Sequence, residues 1–133
     1  MNTVNKTSSS NTLFGIGRAL LGALFVVSGI GKIFGFAGVA GWMASAGLPF
    51  APLLLTLTIA VEVIGGLLLV IGWQSRWAAL ALAAFLLPVT AIFHGFWSAD
   101  DAHFQEQLTA FLKNAAILGG MLLVFERSTA KRQ

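Results

Sequence analysis

One carboxylate, Glu62, lies in the middle of a long apolar stretch of this sequence. A carboxylate is rarely buried without a partner, and a charge at the centre of a bilayer costs about 2.5–3.5 kcal/mol on insertion scales. Glu62 must therefore be protonated or paired with a cation. The candidate cations are Lys32 and Lys113, and the sequence leaves both open. Two further side chains could add hydrogen bonds, namely His94 and Asn114.

The depths of these residues follow from the helical rise of about 1.5 Å per residue. Glu62 falls near the middle of its span, and Lys113 and Asn114 fall a few ångströms outward of it. Lys32 and His94 fall roughly 10 Å outward. Four different spans thus direct a polar group towards the same half of the bilayer. We interpret the group as a ligand or proton site, because ionisable residues inside membranes are mostly functional. The alternative is a salt-bridged network that only fixes helix register.

The sequence gives little support for thiol, metal, nucleotide or hydrolytic chemistry. The chain contains no Cys, which excludes disulfides, thiolate metal sites and Cys nucleophiles. It contains no phosphate-binding loop, dinucleotide fingerprint or Ser-His-Asp arrangement, so no catalytic role is assigned. His94 has one neighbouring carboxylate and no second His nearby in the sequence, so we predict no metal site. We expect no nucleic-acid binding, because the basic residues gather at the ends of spans.

The composition places these residues in a membrane. Of the 133 residues, 57% are hydrophobic and 10% are charged, whereas soluble domains are about 45–50% apolar and about 25% charged. We predict an all-α, polytopic membrane protein, a bundle of four transmembrane helices whose main partner is the lipid bilayer. The predicted spans are residues 13–34, 50–73, 77–97 and 104–125. A disordered polar tail over residues 1–12 and a basic tail over residues 127–133 are expected to flank them.

Two spans carry small residues on the face that bears their charges. Arg18 and Lys32 lie near opposite ends of the first span and share a helix face with Gly22 and Gly29. Small residues allow helices to approach closely within a bilayer, so this face is predicted to point inward. The face of the second span that carries Glu62 also carries glycines. Arg18 is predicted to anchor its helix at the membrane interface.

The remaining segments have simpler interpretations. The glycine-rich and aromatic stretch after the first span predicts an interfacial loop with one short helix around Val39 to Ala46. Pro88 predicts a kink in the third span. Lys6 precedes an apolar run, and Ala44 to Ala46 resembles a cleavage site. The run is too long for a signal peptide, so we expect an uncleaved first span.

The basic residues also predict an orientation. Four spans place both termini and the loop after the second span on one side of the membrane. That side collects most of the basic residues, namely Lys6, Arg18, Arg76, Arg127, Lys131 and Arg132. The other side collects Lys32, Lys113, Asp100, Asp101 and Glu106. Cytoplasmic loops carry an excess of Lys and Arg, so both termini are predicted to be cytoplasmic.

Several short motifs, in this order, resemble the DoxX family. They are Arg18-Ala19-Leu20-Leu21-Gly22, the stretch from Phe25 to Lys32, the stretch from Glu62 to Gly66 followed by Gly72, the stretch from His94 to Trp97, and Gln107 with the stretch from Leu112 to Gly120. The resemblance covers about Leu13 to Phe125. It implies a small multi-pass protein of the bacterial inner membrane. It also implies that the polar positions of the family are Arg18, Lys32, Glu62, His94, Gln107, Lys113 and Asn114.

The resemblance also implies a functional setting. The family takes its name from relatives of a membrane subunit of a thiosulfate:quinone oxidoreductase, and some members are linked to complexes that handle thiol or oxidative stress. It therefore implies a redox-associated membrane subunit, with quinone as the candidate cofactor. The candidate partners are an oxidoreductase and a second copy of the chain. Two alternatives remain open: a carrier or binding protein for a small solute or lipid, and a non-catalytic assembly partner.

Overall fold

Most of the backbone is helical in the part of the chain that the structure describes. A computed structural model describes the backbone of residues 2–130 and the side chains of residues 8–130. Five α-helices and one short 3-10 helix occur there, and no strand occurs within those bounds. The α-helices are α1 (Asn2–Phe34), α2 (Phe36–Ser45), α3 (Ala51–Ile71), α4 (Ser75–Phe93) and α5 (Phe104–Ala130), and the 3-10 helix is Phe96–Ser98.

Four of these segments are long and apolar enough to cross a membrane. They are Ser8–Phe34, Ala51–Ile71, Ser75–Ser98 and Phe104–Ala130. Only 11% to 28% of the residues in their apolar windows are buried within the chain. Large apolar side chains point outward instead, such as Val27 with 70% of its surface exposed and Leu123 with 66%. Lipid, rather than water, is the solvent that such a surface suits. The prediction of an all-α, polytopic membrane protein is confirmed.

The first and last spans extend beyond their predicted bounds. α1 begins at Asn2, so the segment that we predicted as a disordered tail is helical, and α5 continues to Ala130 through most of the predicted basic tail. Thr12 Oγ1 donates to the carbonyl of Ser8 at 3.1 Å, and Thr129 Oγ1 donates to that of Phe125 at 2.8 Å. Hydroxyl groups are thus satisfied inside the helix, and lengthening a formed helix needs no new nucleus. Residues 131–133 and the side chain of Lys6 lie outside the described residues.

The inner boundaries depend on turn residues. The short helix predicted around Val39 to Ala46 is present as α2. α3 begins after Phe50, which is in the left-handed region with φ 53°, and it carries Pro52 in its first turn. α3 ends at Ile71, because the next residue, Gly72, has a φ of 82° that does not continue a helix. This span therefore stops before its predicted end at Trp73. α4 similarly ends at Phe93 and gives way to the 3-10 helix.

The chain divides into two compact units, one up to Gln74 and one from Ser75 onward. In the first unit, α1 packs along α3, and α2 contacts both helices. In the second unit, α4 packs on α5, and the 3-10 helix also contacts α5. Leu55 and Leu69 are fully buried on α3, as are Leu82 on α4 and Met121 on α5. Each unit is thus organised around one long helix pair.

The packing of α1 on α3 is close enough to require glycine. A Cβ atom added to Gly22 would lie 2.5 Å from the carbonyl oxygen of Gly66 and 2.9 Å from Cβ of Leu69. Towards the other end of α1, a Cβ atom on Gly29 would lie 2.6 Å from Val63 Cγ2. Residues later in α1 meet residues earlier in α3, so the two helices run antiparallel. The predicted inward face of the first span is confirmed.

Candidate functional site

Glu62 is buried on α3, and its carboxylate contacts two side chains of α1. Only 4% of the residue is exposed. Its Oε1 accepts hydrogen bonds from Ser28 Oγ at 3.2 Å and from Lys32 Nζ at 3.2 Å, and its Oε2 lies 3.0 Å from the same Nζ at ion-pair distance. Lys32 Nζ also donates to Ser28 Oγ at 2.7 Å. We call Ser28, Lys32 and Glu62 the buried triad.

The register of α1 on α3 brings the triad together. Gly29 lies one residue after Ser28, and its missing side chain lets the backbone of α1 approach Glu62 and Val63. Lys32 is one helical turn after Ser28, so both side chains point to the same side of α1. Lys32 is one of the two lysines that the sequence left open. Lys113, the other, is exposed on α5 in the second unit.

Ser28 is a member of the site that we did not predict. A serine in an apolar helix attracts little attention, because its hydroxyl can bond to its own backbone. The available signal was its spacing of four residues from Lys32 in the sequence. Residues at this spacing are neighbours on a helix surface, so a hydroxyl there is within reach of the lysine ammonium.

The triad can hold charge but is not arranged as a nucleophile. Lys32 Nζ donates a hydrogen bond to Ser28 Oγ, so the lysine is not placed as a base that receives the proton of the serine. What the triad offers instead is a positioned cation. The side chain of Lys32 is 27% exposed whereas that of Glu62 is 5% exposed, so Lys32 presents the accessible side of the pair. An ammonium has three donors and suits a ligand that carries a hydrogen-bond acceptor.

Arg18 lies at the other end of the α1–α3 pair. Its guanidinium packs against Gly72, the residue in the left-handed region that ends α3. The last carbonyl groups of a helix lack intrahelical donors and carry the negative end of the helix dipole, so a guanidinium there is favourable. The role of interface anchor that we predicted for Arg18 thus gains a specific contact with the end of α3.

The second unit contains the remaining predicted site residues. Asn114 Nδ2 donates to Thr90 Oγ1 at 3.0 Å, which joins α5 to α4. This pair lines an apolar groove of about 140 Å³ in the second unit. His94 and Gln107 are half-buried, and two of their polar atoms, Nδ1 of His94 and Oε1 of Gln107, are buried without a hydrogen-bond partner among residues 8–130. The convergence of these residues with Glu62 stays a prediction.

The loop between α4 and α5 holds a second charged pair, outside the spans. His103 Nδ1 lies 2.7 Å from Asp100 Oδ1, which also accepts the backbone N–H of His103 at 2.9 Å. The side-chain hydrogen bond to Asp100, reinforced by its charge, raises the pKa of His103 above its ordinary 6.5. The same hydrogen bond lowers the pKa of Asp100 below its ordinary 3.8. Within the described part of the chain, no three His, Asp or Glu residues are grouped as metal ligands.

A pH titration tests this pair. The folded state favours protonated His103, so its stabilising contribution is complete below the ordinary pKa of histidine and is lost as pH rises through the raised pKa. The contribution of Asp100 is present above its ordinary pKa and is lost as pH falls through the lowered one. We expect NMR titration of the imidazole to give a pKa above 6.5 for His103, and the substitution Asp100→Asn to lower it. An unchanged pKa in Asp100→Asn would contradict the pairing.

The fold and the buried triad define the class of protein: an all-α, polytopic membrane protein with an ion pair enclosed between two antiparallel helices. The DoxX family model matches residues 13–95. The chain is 36% identical over 111 residues to the inner membrane protein YqjF of Escherichia coli strain K12, an alignment that covers 82% of this chain and 78% of the relative. It is 29% identical over 109 residues to the inner membrane protein YphA of the same organism, with the same coverage. No solved structure matches the chain significantly.

The chain therefore belongs to the DoxX family, and it is a multi-pass inner membrane protein. The buried triad lies within the matched residues, as do Arg18 and His94. The family match ends at residue 95, before α5. Gln107, Lys113 and Asn114 lie beyond it, although the resemblance in the sequence extended to Phe125.

Proposed function

We propose that this chain is a quinone-binding subunit of a redox system in the inner membrane, and that Lys32 donates a hydrogen bond to the quinone headgroup. The observation that carries the proposal is the partly exposed side chain of Lys32, whose Nζ is held in place by Glu62 and Ser28. Membership of the DoxX family and the inner-membrane relatives support the same setting. When bound, a quinone would supply two-electron redox chemistry.

The residues present fit such a group. A quinone headgroup carries two carbonyl oxygens that accept hydrogen bonds, and Lys32 is a donor in the last turn of α1. The neighbouring Ile33 and Phe34 are exposed apolar residues that suit an isoprenoid tail. Glu62 and Ser28 would orient the ammonium. The chain contains no Cys, so any thiol chemistry would fall to a partner oxidoreductase.

A binding measurement tests the role of Lys32. The chain in phospholipid nanodiscs is titrated with ubiquinone-1, a short-tailed quinone, with intrinsic tryptophan fluorescence as the signal. Combining Lys32→Gln with Glu62→Gln removes both charges without leaving one of them buried alone. We expect this double variant to bind about tenfold more weakly, the loss of one hydrogen bond to a charged donor.

The control is Glu126→Gln, which removes an exposed carboxylate near the end of α5. We expect it to bind ubiquinone-1 as the unsubstituted chain does. Equal affinity in the double variant and the unsubstituted chain would overturn the role of Lys32. Absence of saturable binding in the unsubstituted chain would overturn the quinone proposal and favour a carrier or an assembly partner.

We further propose that both termini lie in the cytoplasm. Arg76 lies in the first turn of α4, and Arg127 lies near the end of α5. Four spans would place these two arginines on the same side of the membrane as both termini. The positive-inside rule assigns this side to the cytoplasm. A fluorescent protein that matures only in the cytoplasm, fused after Gln133, is expected to be bright, whereas alkaline phosphatase at the same position is expected to be inactive. The reverse pattern would refute the orientation.

A further inference from the structure

A cavity of about 350 Å³ opens beside the end of α4 and the start of α5, within the second unit. Its lining combines an aromatic ring with polar side chains, namely Trp97, Asp100, His103 and Gln107. None of these residues belongs to the buried triad. The cavity therefore takes no part in the proposed binding of quinone by Lys32.

The ring of Trp97 is held by three neighbours. It packs edge-on against Phe96 at 5.4 Å and against Phe111 at 6.0 Å between ring centroids. It also rests on Gly95, where an added Cβ atom would lie 3.1 Å from the indole ring. Even so, 62% of Trp97 is exposed. A positioned indole with an open surface can bind a cation through its ring quadrupole.

The charges around the cavity select the same kind of ligand. Residues 95–107 contain three carboxylates and no Lys or Arg. Asp100 lines the cavity, whereas Asp101 and Glu106 do not. Gln107 also lines it. A carboxylate and an aromatic face in a negative surrounding disfavour an anion and favour a cation that carries N–H groups.

We propose that this cavity binds a primary ammonium group, with Asp100 as its counter-ion and Trp97 as its aromatic contact. Its volume is close to the lower end of small-ligand pockets, about 300 Å³. Either a free amine or the headgroup of an ethanolamine phospholipid could supply this chemistry. A free amine would enter from the aqueous side, whereas a headgroup would enter from the membrane.

His103 makes the binding depend on pH. Protonated His103 already pairs with Asp100 and so competes with the ammonium for the carboxylate. Two other charged groups lie near His103, namely Asp101 and Glu106, and the charge of Glu106 also raises the pKa of His103. On α4, the titratable group nearest in sequence is His94, which follows its last residue. Ammonium affinity should therefore increase as pH rises through the raised pKa of His103. The variant His103→Gln keeps a polar side chain and should remove this dependence.

Calorimetry with the full chain in phosphatidylcholine nanodiscs tests the proposal, with ethanolamine as the probe. We expect saturable binding that Asp100→Asn weakens about tenfold and Trp97→Leu weakens about fivefold. Asp100→Asn keeps the Oδ1 acceptor for the backbone of His103, so the loop should retain its turn. Asp101→Asn is the matched control, because it removes the same charge one residue away from Asp100, outside the cavity lining. The affinity of this variant for ethanolamine should stay unchanged.

A second set of nanodiscs separates the two sources of the ammonium. If the natural ligand is a lipid headgroup, phosphatidylethanolamine in the nanodisc should weaken ethanolamine binding, whereas phosphatidylglycerol should not. Unchanged binding with both lipids would identify a free amine. Absence of saturable binding in phosphatidylcholine would overturn the proposal. Equal losses of ethanolamine affinity in Asp100→Asn and Asp101→Asn would also overturn the proposal, because they would show that the ammonium is attracted only by a negative surface.

Discussion

Replacing Lys32 with Ala is expected to lower the free energy of unfolding by about 3 kcal/mol, the lower end of the cost of breaking a buried ion pair. The change would leave the carboxylate of Glu62 enclosed between α1 and α3, with Ser28 as its one remaining donor among residues 8–130. An isolated charge in an apolar setting is the larger part of that cost. The side chain of Lys32 is 27% exposed, so the loss of its own packing contacts contributes less to the change in the free energy of unfolding.

The decisive comparison is a double-mutant cycle. Adding Glu62→Gln to Lys32→Ala removes the isolated charge, so the double variant should be more stable than Lys32→Ala alone. Unfolding in mixed micelles of mild detergent and dodecyl sulfate gives the required free energies. Additive losses would show that Lys32 and Glu62 do not interact. The same cycle with Lys113 asks whether the second lysine contributes to the charge balance of Glu62.

The second large effect is expected at the glycine contact between α1 and α3. Gly66→Ala would place a Cβ atom 2.7 Å from the carbonyl oxygen of Gly22 and 3.0 Å from the backbone nitrogen of Val26. Backbone atoms cannot rotate aside as a side chain does, so the helices must separate. We expect the free energy of unfolding to fall by about 1–3 kcal/mol, as for other overpacked sites. The gain in helix propensity from Gly to Ala, about 1 kcal/mol, offsets part of the strain.

Gly17→Ala is the matched control for this experiment. Gly17 lies on α1, one residue before Arg18, and a Cβ atom there would meet no atom within 4 Å. The same substitution should therefore be neutral or stabilising by up to about 1 kcal/mol, through helix propensity alone. Both variants are compared by unfolding in mixed micelles. If Gly66→Ala were as stable as Gly17→Ala, the close approach of α1 and α3 would be refuted.

Much of the fold could be predicted because hydropathy and helical period are local properties. The four spans were found from apolar runs, and the inward faces of α1 and α3 from the spacing of Gly22, Gly29 and Glu62. The boundaries were less predictable. Polar residues before Leu13 do not distinguish a helical extension from a tail, because Ser and Thr hydroxyls can bond either to a helix carbonyl or to water. The early end of α4 has one local signal, Gly95, because a glycine commonly follows the last residues of a helix.

The sequence by itself determined that this chain crosses a membrane and that Glu62 must be protonated or paired, because a charge in the middle of a long apolar span is costly however that span packs. It could not determine the partner, since both Lys32 and Lys113 were candidates. The tertiary structure pairs Glu62 with Lys32 and places Ser28 within hydrogen-bond distance of the same carboxylate. The physical reason is register: the glycine contacts set how α1 lies along α3, and only that alignment brings an ammonium and a hydroxyl to the buried carboxylate.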